Sequence, residues 1–184
     1  MEAFSDGVFA VIITIMVLEL KAPQGAGWAA LEPLLPAFLT YVLSFVLLGI
    51  YWNNHHHMLS LTDRIGGGIL WANLHLLFWL SLVPFVTGWM GENHFAPLPT
   101  AIYGVVMLMS GIGYTILQTA IIRHQGAHSK LRAAVGGDMK GKISAVLWAV
   151  AIPLAFVNQW IADALYVGVA LTWLIPDRRI ERAM

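Results

Sequence analysis

Long apolar stretches recur six times along this chain, and short polar or Pro/Gly-rich segments separate them. A helix needs roughly twenty apolar residues to cross the hydrocarbon core of a bilayer. The pattern therefore predicts an all-α integral membrane protein in which residues 1–184 form a single domain of six transmembrane helices. The predicted spans are residues 4–21, 34–61, 69–89, 100–122, 143–160 and 162–175.

The composition points to the same class of protein. Of the 184 residues, 59% are hydrophobic and 11% are charged, whereas a soluble domain carries about 25% charged residues. The formal net charge is zero, which argues against a nucleic-acid partner because such proteins concentrate basic residues on one face. The chain has no Cys, so disulfides, thiol catalysis and Cys-ligated metals are excluded.

The basic residues predict the orientation of the chain in the membrane. With six spans, both termini, the turn around Arg64 and the polar stretch 123–142 lie on one side, and that side holds nine of the ten Lys and Arg residues. Only Lys21 lies on the other side. Cytoplasmic loops carry an excess of Lys and Arg. We therefore expect both termini to be cytoplasmic.

The first span has two distinct faces when it is drawn as a helix. One stripe carries Val11, Thr14, Ile15 and Leu18, with Thr14 as the only polar side chain in the middle of the span. This stripe has two interpretations. It could line a water-filled path, or it could be ordinary helix packing in which the Thr14 hydroxyl is bonded back to its own helix.

The second face carries polar groups near the cytoplasmic end. An acid at membrane depth is costly unless it has partners on other helices. The second and third spans offer such partners at a similar depth, and we predict a polar network between helices that contains Ser5, Asp6, Trp52, His55, His56 and Asn73. We favour a structural role for this network over a proton relay, because buried polar networks often specify how helices pack.

No catalytic or metal-binding constellation is evident. Three consecutive residues on a helix point in different directions, so His55, His56 and His57 cannot all bind one ion. His124 and His128 are four residues apart, but Gly126 lies between them in a polar segment. Known catalytic motifs are also missing. We therefore predict a protein that is not an enzyme, with no catalytic residues, no cofactor and no resident metal.

The first ninety residues contain a pattern known from one family. The segment Phe4-Ser5-Asp6-Gly7-Val8-Phe9-Ala10, the later Trp52-x-x-His55-His56 and Asn73 together resemble the signature of the transmembrane protein 175 family of potassium channels. The resemblance implies a prokaryotic single-repeat member that forms a homotetramer, with the first helix lining the pore. Val11, Thr14 and Leu18 match the pore-facing positions.

Two positions depart from the family pattern. Members usually carry an Arg a few residues before the Phe, where this chain has Met1-Glu2-Ala3. The position of Val11 is commonly a longer Ile or Leu, so a constriction there is expected to be wider.

The expected function follows from the residues and the resemblance together. We expect a channel in the plasma membrane of a prokaryote that passes monovalent cations and modestly prefers K⁺ to Na⁺. Rings of Val11 and Leu18 would form hydrophobic constrictions, and Thr14 hydroxyls would replace part of the ion's hydration. K⁺ is then a permeant ion rather than a cofactor. The alternative is a proton-coupled secondary transporter that uses Asp6 and the histidines.

Overall fold

The computed structural model describes residues 1–62, 64–126, 129–136 and 138–174. Within these ranges every regular element is a helix, as the apolar pattern predicts. The described residues form eight α-helices, and two short 3₁₀ turns (Trp28–Ala30 and Glu32–Leu34) precede the second. The helices are α1 (Glu2–Leu18), α2 (Leu35–Ser60), α3 (Gly67–Ser81), α4 (Val83–Glu92), α5 (Pro97–Gln125), α6 (Lys130–Val135), α7 (Met139–Leu154) and α8 (Gln159–Leu174).

Three stretches among the described residues are long and apolar enough to cross a bilayer by themselves. They are Trp28–Ser60, Gly67–Glu92 and Pro97–Gln125. The remaining long helices are shorter, with 17 residues in α1 and 16 in each of α7 and α8. At about 1.5 Å per residue these three helices are about 24–26 Å long.

The third predicted span, residues 69–89, falls within one such stretch, Gly67–Glu92, but two helices form it. The structure ends α3 at Ser81 and begins α4 at Val83. The cause is Pro84, which lies in the first turn of α4. Proline has no N–H to donate and its ring clashes with the carbonyl four residues earlier, but it is tolerated in the first turn of a new helix.

The predicted end of the fifth span, residue 160, lies beyond the end of the corresponding helix. Helix α7 ends at Leu154, and α8 already begins at Gln159. The Asn158 side-chain oxygen accepts a hydrogen bond from the Trp160 backbone N–H (3.0 Å). Asn is a preferred residue at this position because it satisfies an N–H that the first helical turn leaves free. The last residue of the predicted sixth span, Ile175, lies outside the described residues.

The polar stretch 123–142 contains helix rather than a continuous loop. Helix α5 extends into it as far as Gln125, and α6 lies within it. The hydroxyl of Ser129 caps α6 by accepting a hydrogen bond from the Arg132 N–H (3.2 Å). The carboxylate of Asp138 caps α7 in the same way through the Gly141 N–H (3.1 Å).

Helix α5 lies at the centre of the protomer, where it packs against α3, α4, α7 and α8. Helix α1 lies at the side of this group and packs against α2, α3 and α4. Helices α2 and α4 approach each other closely at Gly91, where a Cβ atom would lie 2.6 Å from the Ala37 Cα. A buried hydroxyl, Ser44, joins three helices through Thr87 (2.7 Å) and Tyr103 (3.0 Å). The position of α1 at the side of the bundle leaves one of its faces without cover.

Candidate functional site

The face of α1 that points into the protomer is fully packed. It carries Ser5, Phe9, Ile12 and Met16, each at most 3% exposed. These residues recur at intervals of three and four, which places them on one side of a helix. Their partners lie on α2, α3 and α4. This face holds α1 to its own protomer.

The opposite face of α1 carries Val11, Thr14, Ile15 and Leu18, which are all exposed and which we call the exposed stripe. Val11 is 57% exposed, Ile15 is 42% exposed and Leu18 is 78% exposed. Thr14 is also exposed. The structure thus places the four predicted pore residues together on one side of the helix, pointing away from the protomer. Such a surface is apolar enough to face lipid or the same helix of another protomer.

The hydroxyl of Thr14 donates a hydrogen bond to the Ala10 carbonyl (2.7 Å). This bond within the helix is the one that the packing interpretation expects. It also uses the only proton that the hydroxyl can donate. The oxygen then presents acceptor lone pairs alone, and those are the groups that a cation binds.

The predicted polar network forms two separate branches in the structure. In the first, the Trp52 indole N–H donates to the Asp6 carboxylate (2.9 Å). In the second, the Asn73 amide donates to the Ser5 hydroxyl (3.0 Å), and the Asn73 carbonyl oxygen lies 2.7 Å from His55 Nε2. Because an amide oxygen only accepts, His55 Nε2 is the donor in that contact. The two branches attach α1 to α2 and to α3.

The second branch is buried throughout. Ser5, His55 and Asn73 are at most 2% exposed. The Ser5 hydroxyl donates a hydrogen bond to the Met1 carbonyl (3.1 Å), so the chain of donors runs from His55 through Asn73 and Ser5 to the start of α1. The His55 ring also contacts the Phe9 ring, with centroids 5.7 Å apart. This buried chain of hydrogen bonds fixes the rotation of α1, and within the described residues the other His55 ring nitrogen, Nδ1, is buried without a hydrogen-bond partner.

His56 belongs to neither of the two hydrogen-bonded branches. Its Nδ1 atom is 3.1 Å from the Glu2 carboxylate, and its ring lies 6.1 Å from the Trp52 ring. Sequence reasoning missed Glu2, although its spacing of four residues from Asp6 places both acids on the same side of α1. The other histidine pair considered above gains no support, since His128 lies outside the described residues and His124 is exposed.

Comparison with known proteins gives a consistent family assignment. A family model described as "Endosomal/lysosomal potassium channel TMEM175" matches residues 1–84. A protein of Chryseobacterium sp. (strain P1-3) that is named a potassium channel is 54% identical over 184 residues, which is 100% of this chain and 96% of that protein. A second protein named a potassium channel, from Streptomyces collinus, is 35% identical over 124 residues, 63% of this chain and 60% of its own.

The fold is also similar to a crystal structure. That structure is described as a lysosomal potassium-selective channel TMEM175 homolog from Chamaesiphon minutus, and it matches with a TM-score of 0.79 at 27% identity. The match covers 96% of this chain and 95% of the other. The chain therefore belongs to the TMEM175 family.

Proposed function

We propose that this protein is a potassium-selective cation channel that works as a homotetramer, with α1 of each protomer lining a central pore. The observation that carries the proposal is the exposed stripe, an apolar face with one hydroxyl on a helix whose opposite face, at Phe9, Ile12 and Met16, is buried. The names of the relatives support K⁺ as the permeant ion.

The need for several copies follows from the position of α1. It packs against α2, α3 and α4 on one side only, so a single protomer leaves the exposed stripe without an enclosing wall. Four copies placed around an axis would enclose a path between their α1 helices. Closed point-group symmetry is usual for assemblies of identical chains.

The exposed stripe would then act in two ways. Rings of Leu18 and Val11 side chains would form hydrophobic constrictions that resist hydrated ions and close by dewetting. A ring of Thr14 oxygens would offer acceptor lone pairs to a partly dehydrated cation. A neutral hydroxyl replaces hydration only weakly, so it favours K⁺, the ion that loses its water at lower cost. Modest K⁺ selectivity over Na⁺ is the expected result.

The polar network would serve as the support for this pore wall. The branch through Ser5, Asn73 and His55 fixes the rotation of α1, and that rotation determines which residues face the axis. The contact between Trp52 and Asp6 holds the same end of α1 against α2. In this proposal Asp6 and the histidines position the helix and do not carry protons.

The proposed membrane arrangement extends that of the sequence analysis. Six spans would be formed by α1, α2, the α3–α4 pair, α5, α7 and α8, with both termini in the cytoplasm of a prokaryotic cell. The break after Ser81 lies inside the third span. The Leu82 N–H at the break donates to the Trp79 carbonyl (3.2 Å), so this backbone donor is satisfied at membrane depth.

The test combines ion flux with mass measurement. The purified protein is placed in lipid vesicles with a K⁺ gradient and no pH gradient. The K⁺ flux is then compared with the Na⁺ flux. We expect K⁺ flux to exceed Na⁺ flux, and light scattering in detergent to give four times the protomer mass. Flux that requires an imposed proton gradient would instead favour the proton-coupled transporter, and a stable monomer would contradict the pore.

A further inference from the structure

The start of α1 and the end of α2 carry a cluster of potential metal ligands. Glu2, Asp6 and His56 each offer one ligand atom, and these three atoms lie within 4.8 Å of one another. The pore proposal assigns no role to Glu2.

The antiparallel packing of α1 and α2 creates this cluster. Glu2 lies opposite His56, with 3.1 Å between Oε1 and Nδ1, and Asp6 lies opposite Trp52. Within each helix the two residues are four apart, so they share one face. The two pairs are therefore adjacent steps of one helix–helix contact, and the ligands approach from two different helices.

The distances suit a metal ion after small side-chain movements. Carboxylate oxygens and imidazole nitrogens bind Zn²⁺ at about 2.0–2.2 Å, so two ligands of one ion lie at most about 4.4 Å apart. The contact between Glu2 and His56 already meets this limit. The side chains of Glu2 and His56 are 48% and 44% exposed, so both are free to adjust and water can complete the coordination shell.

The donor set indicates the class of metal. Two carboxylates and one imidazole suit divalent first-row transition metals such as Zn²⁺, whereas Ca²⁺ and Mg²⁺ prefer oxygen ligands throughout. The Trp52 indole donates to one oxygen of Asp6. Such an outer hydrogen bond orients a ligating carboxylate, and it leaves the remaining lone pairs of Asp6 available for an ion.

We propose that Glu2, Asp6 and His56 form a binding site for a divalent transition metal ion, with Zn²⁺ as its representative, that ties the start of α1 to α2. Metal binding here does not depend on ion conduction, so the failure of one proposal would not contradict the other. A bound ion would add a third connection between these helices beside the two branches of the polar network.

The test is calorimetric titration with Zn²⁺ of the full-length protein in detergent, purified without a polyhistidine tag. We expect about one ion per protomer. Glu2→Gln and His56→Gln are expected to weaken binding at least about tenfold, because each removes a ligand bond. Co²⁺ gives a second readout, since its visible absorption reports nitrogen and oxygen coordination directly.

Matched substitutions separate the site from unspecific binding. His57→Gln changes the neighbouring histidine of the same helix, and Glu32→Gln changes an exposed acid elsewhere. Both are expected to leave the Zn²⁺ affinity unchanged. The assignment is overturned if the unmodified protein does not bind Zn²⁺, or if His57→Gln weakens binding as much as His56→Gln. Glu2 is exposed, so its variant keeps the fold and the comparison valid.

Discussion

The two faces of α1 differ in what covers them. The inner face, with Ser5, Phe9 and Ile12, is at most 3% exposed and finds all its partners within its own protomer. The outer face, with Val11 and Leu18, is 57% and 78% exposed at these positions and finds none there. One helix therefore combines a surface that stabilises its own chain with a surface that other copies would cover in the proposed tetramer. Changes on the inner face should affect stability first, and changes on the outer face should affect ion flux first.

The difference also extends to the polar groups of the two faces. On the inner face the Ser5 hydroxyl joins a buried chain that reaches another helix through Asn73. On the outer face the Thr14 hydroxyl bonds only to its own helix, at Ala10. A hydroxyl with an inter-helix partner specifies packing, whereas one with an internal partner keeps its oxygen free for an external ligand.

The largest expected effect is on the inner face, at Phe9. Phe9→Ala removes a ring that is 1% exposed and leaves a cavity beside His55. We expect a loss of stability on the order of 3 kcal/mol, measured by thermal unfolding in detergent. Phe85→Ala, at a position that is 63% exposed, is the control and should change stability by less than about 0.5 kcal/mol. Equal losses would show that the inner face has no special role.

The next effect concerns the buried branch of the polar network. Asn73→Ala leaves the Ser5 hydroxyl and His55 Nε2 without the partners they have now. We expect a loss of about 1–2 kcal/mol, since unsatisfied buried groups are costly but find some compensation in membranes. The control is Asn93→Ala, whose exposed amide bonds only to its own helix. If both variants unfold at the same temperature, the network does not hold α1 in place.

On the outer face, the largest expected effect is at Leu18. Leu18→Ala shortens the most exposed side chain of the stripe and widens the proposed constriction. We expect the K⁺ flux per tetramer to rise at least about twofold, because a wider apolar passage stays wet more of the time. The control is Val146→Ala on α7, which is 61% exposed on a helix that packs against α5 and α8. Unchanged flux in Leu18→Ala would remove Leu18 from the pore.

The smallest expected effect is at Thr14. Thr14→Val keeps the shape of the side chain and removes the oxygen that we propose to face the ion. We expect the ratio of K⁺ to Na⁺ flux to fall by about a factor of two, because carbonyls and hydroxyls in a pore replace ion hydration. Thr115→Val is a close match, since Thr115 is exposed and bonds to the carbonyl four residues earlier (2.9 Å). Thr115→Val is expected to leave the ratio of K⁺ to Na⁺ flux unchanged. An unchanged ratio in Thr14→Val would contradict the assignment.

The sequence predicts the helical class and the two faces of α1 because both depend on local periodicity. Val11, Thr14 and Leu18 fall on one side of any helix through this segment, whatever surrounds it. The partners of Ser5 could also be predicted from the sequence, for a related reason. Polar residues are few in the spans, so His55 and Asn73 at a similar depth were the natural candidates.

Other features depend on how the helices are placed and could not be read from the pattern. The pairing of Glu2 with His56 requires the register between α1 and α2, which only the packed structure supplies. The break between α3 and α4 was missed because apolar residues continue through it, and only Pro84 marks it. Asn158 likewise marks the start of α8 through a single capping bond that hydropathy does not detect.

The most direct test of the pore uses the absence of Cys from the chain. Leu18→Cys introduces a single thiol, and a charged, water-soluble thiol reagent then reacts only where water reaches it. We predict that the reagent abolishes most of the K⁺ flux of Leu18→Cys in vesicles, while the flux of Val146→Cys stays unchanged. If Leu18→Cys conducts K⁺ equally well before and after treatment, the exposed stripe of α1 does not line the ion pathway.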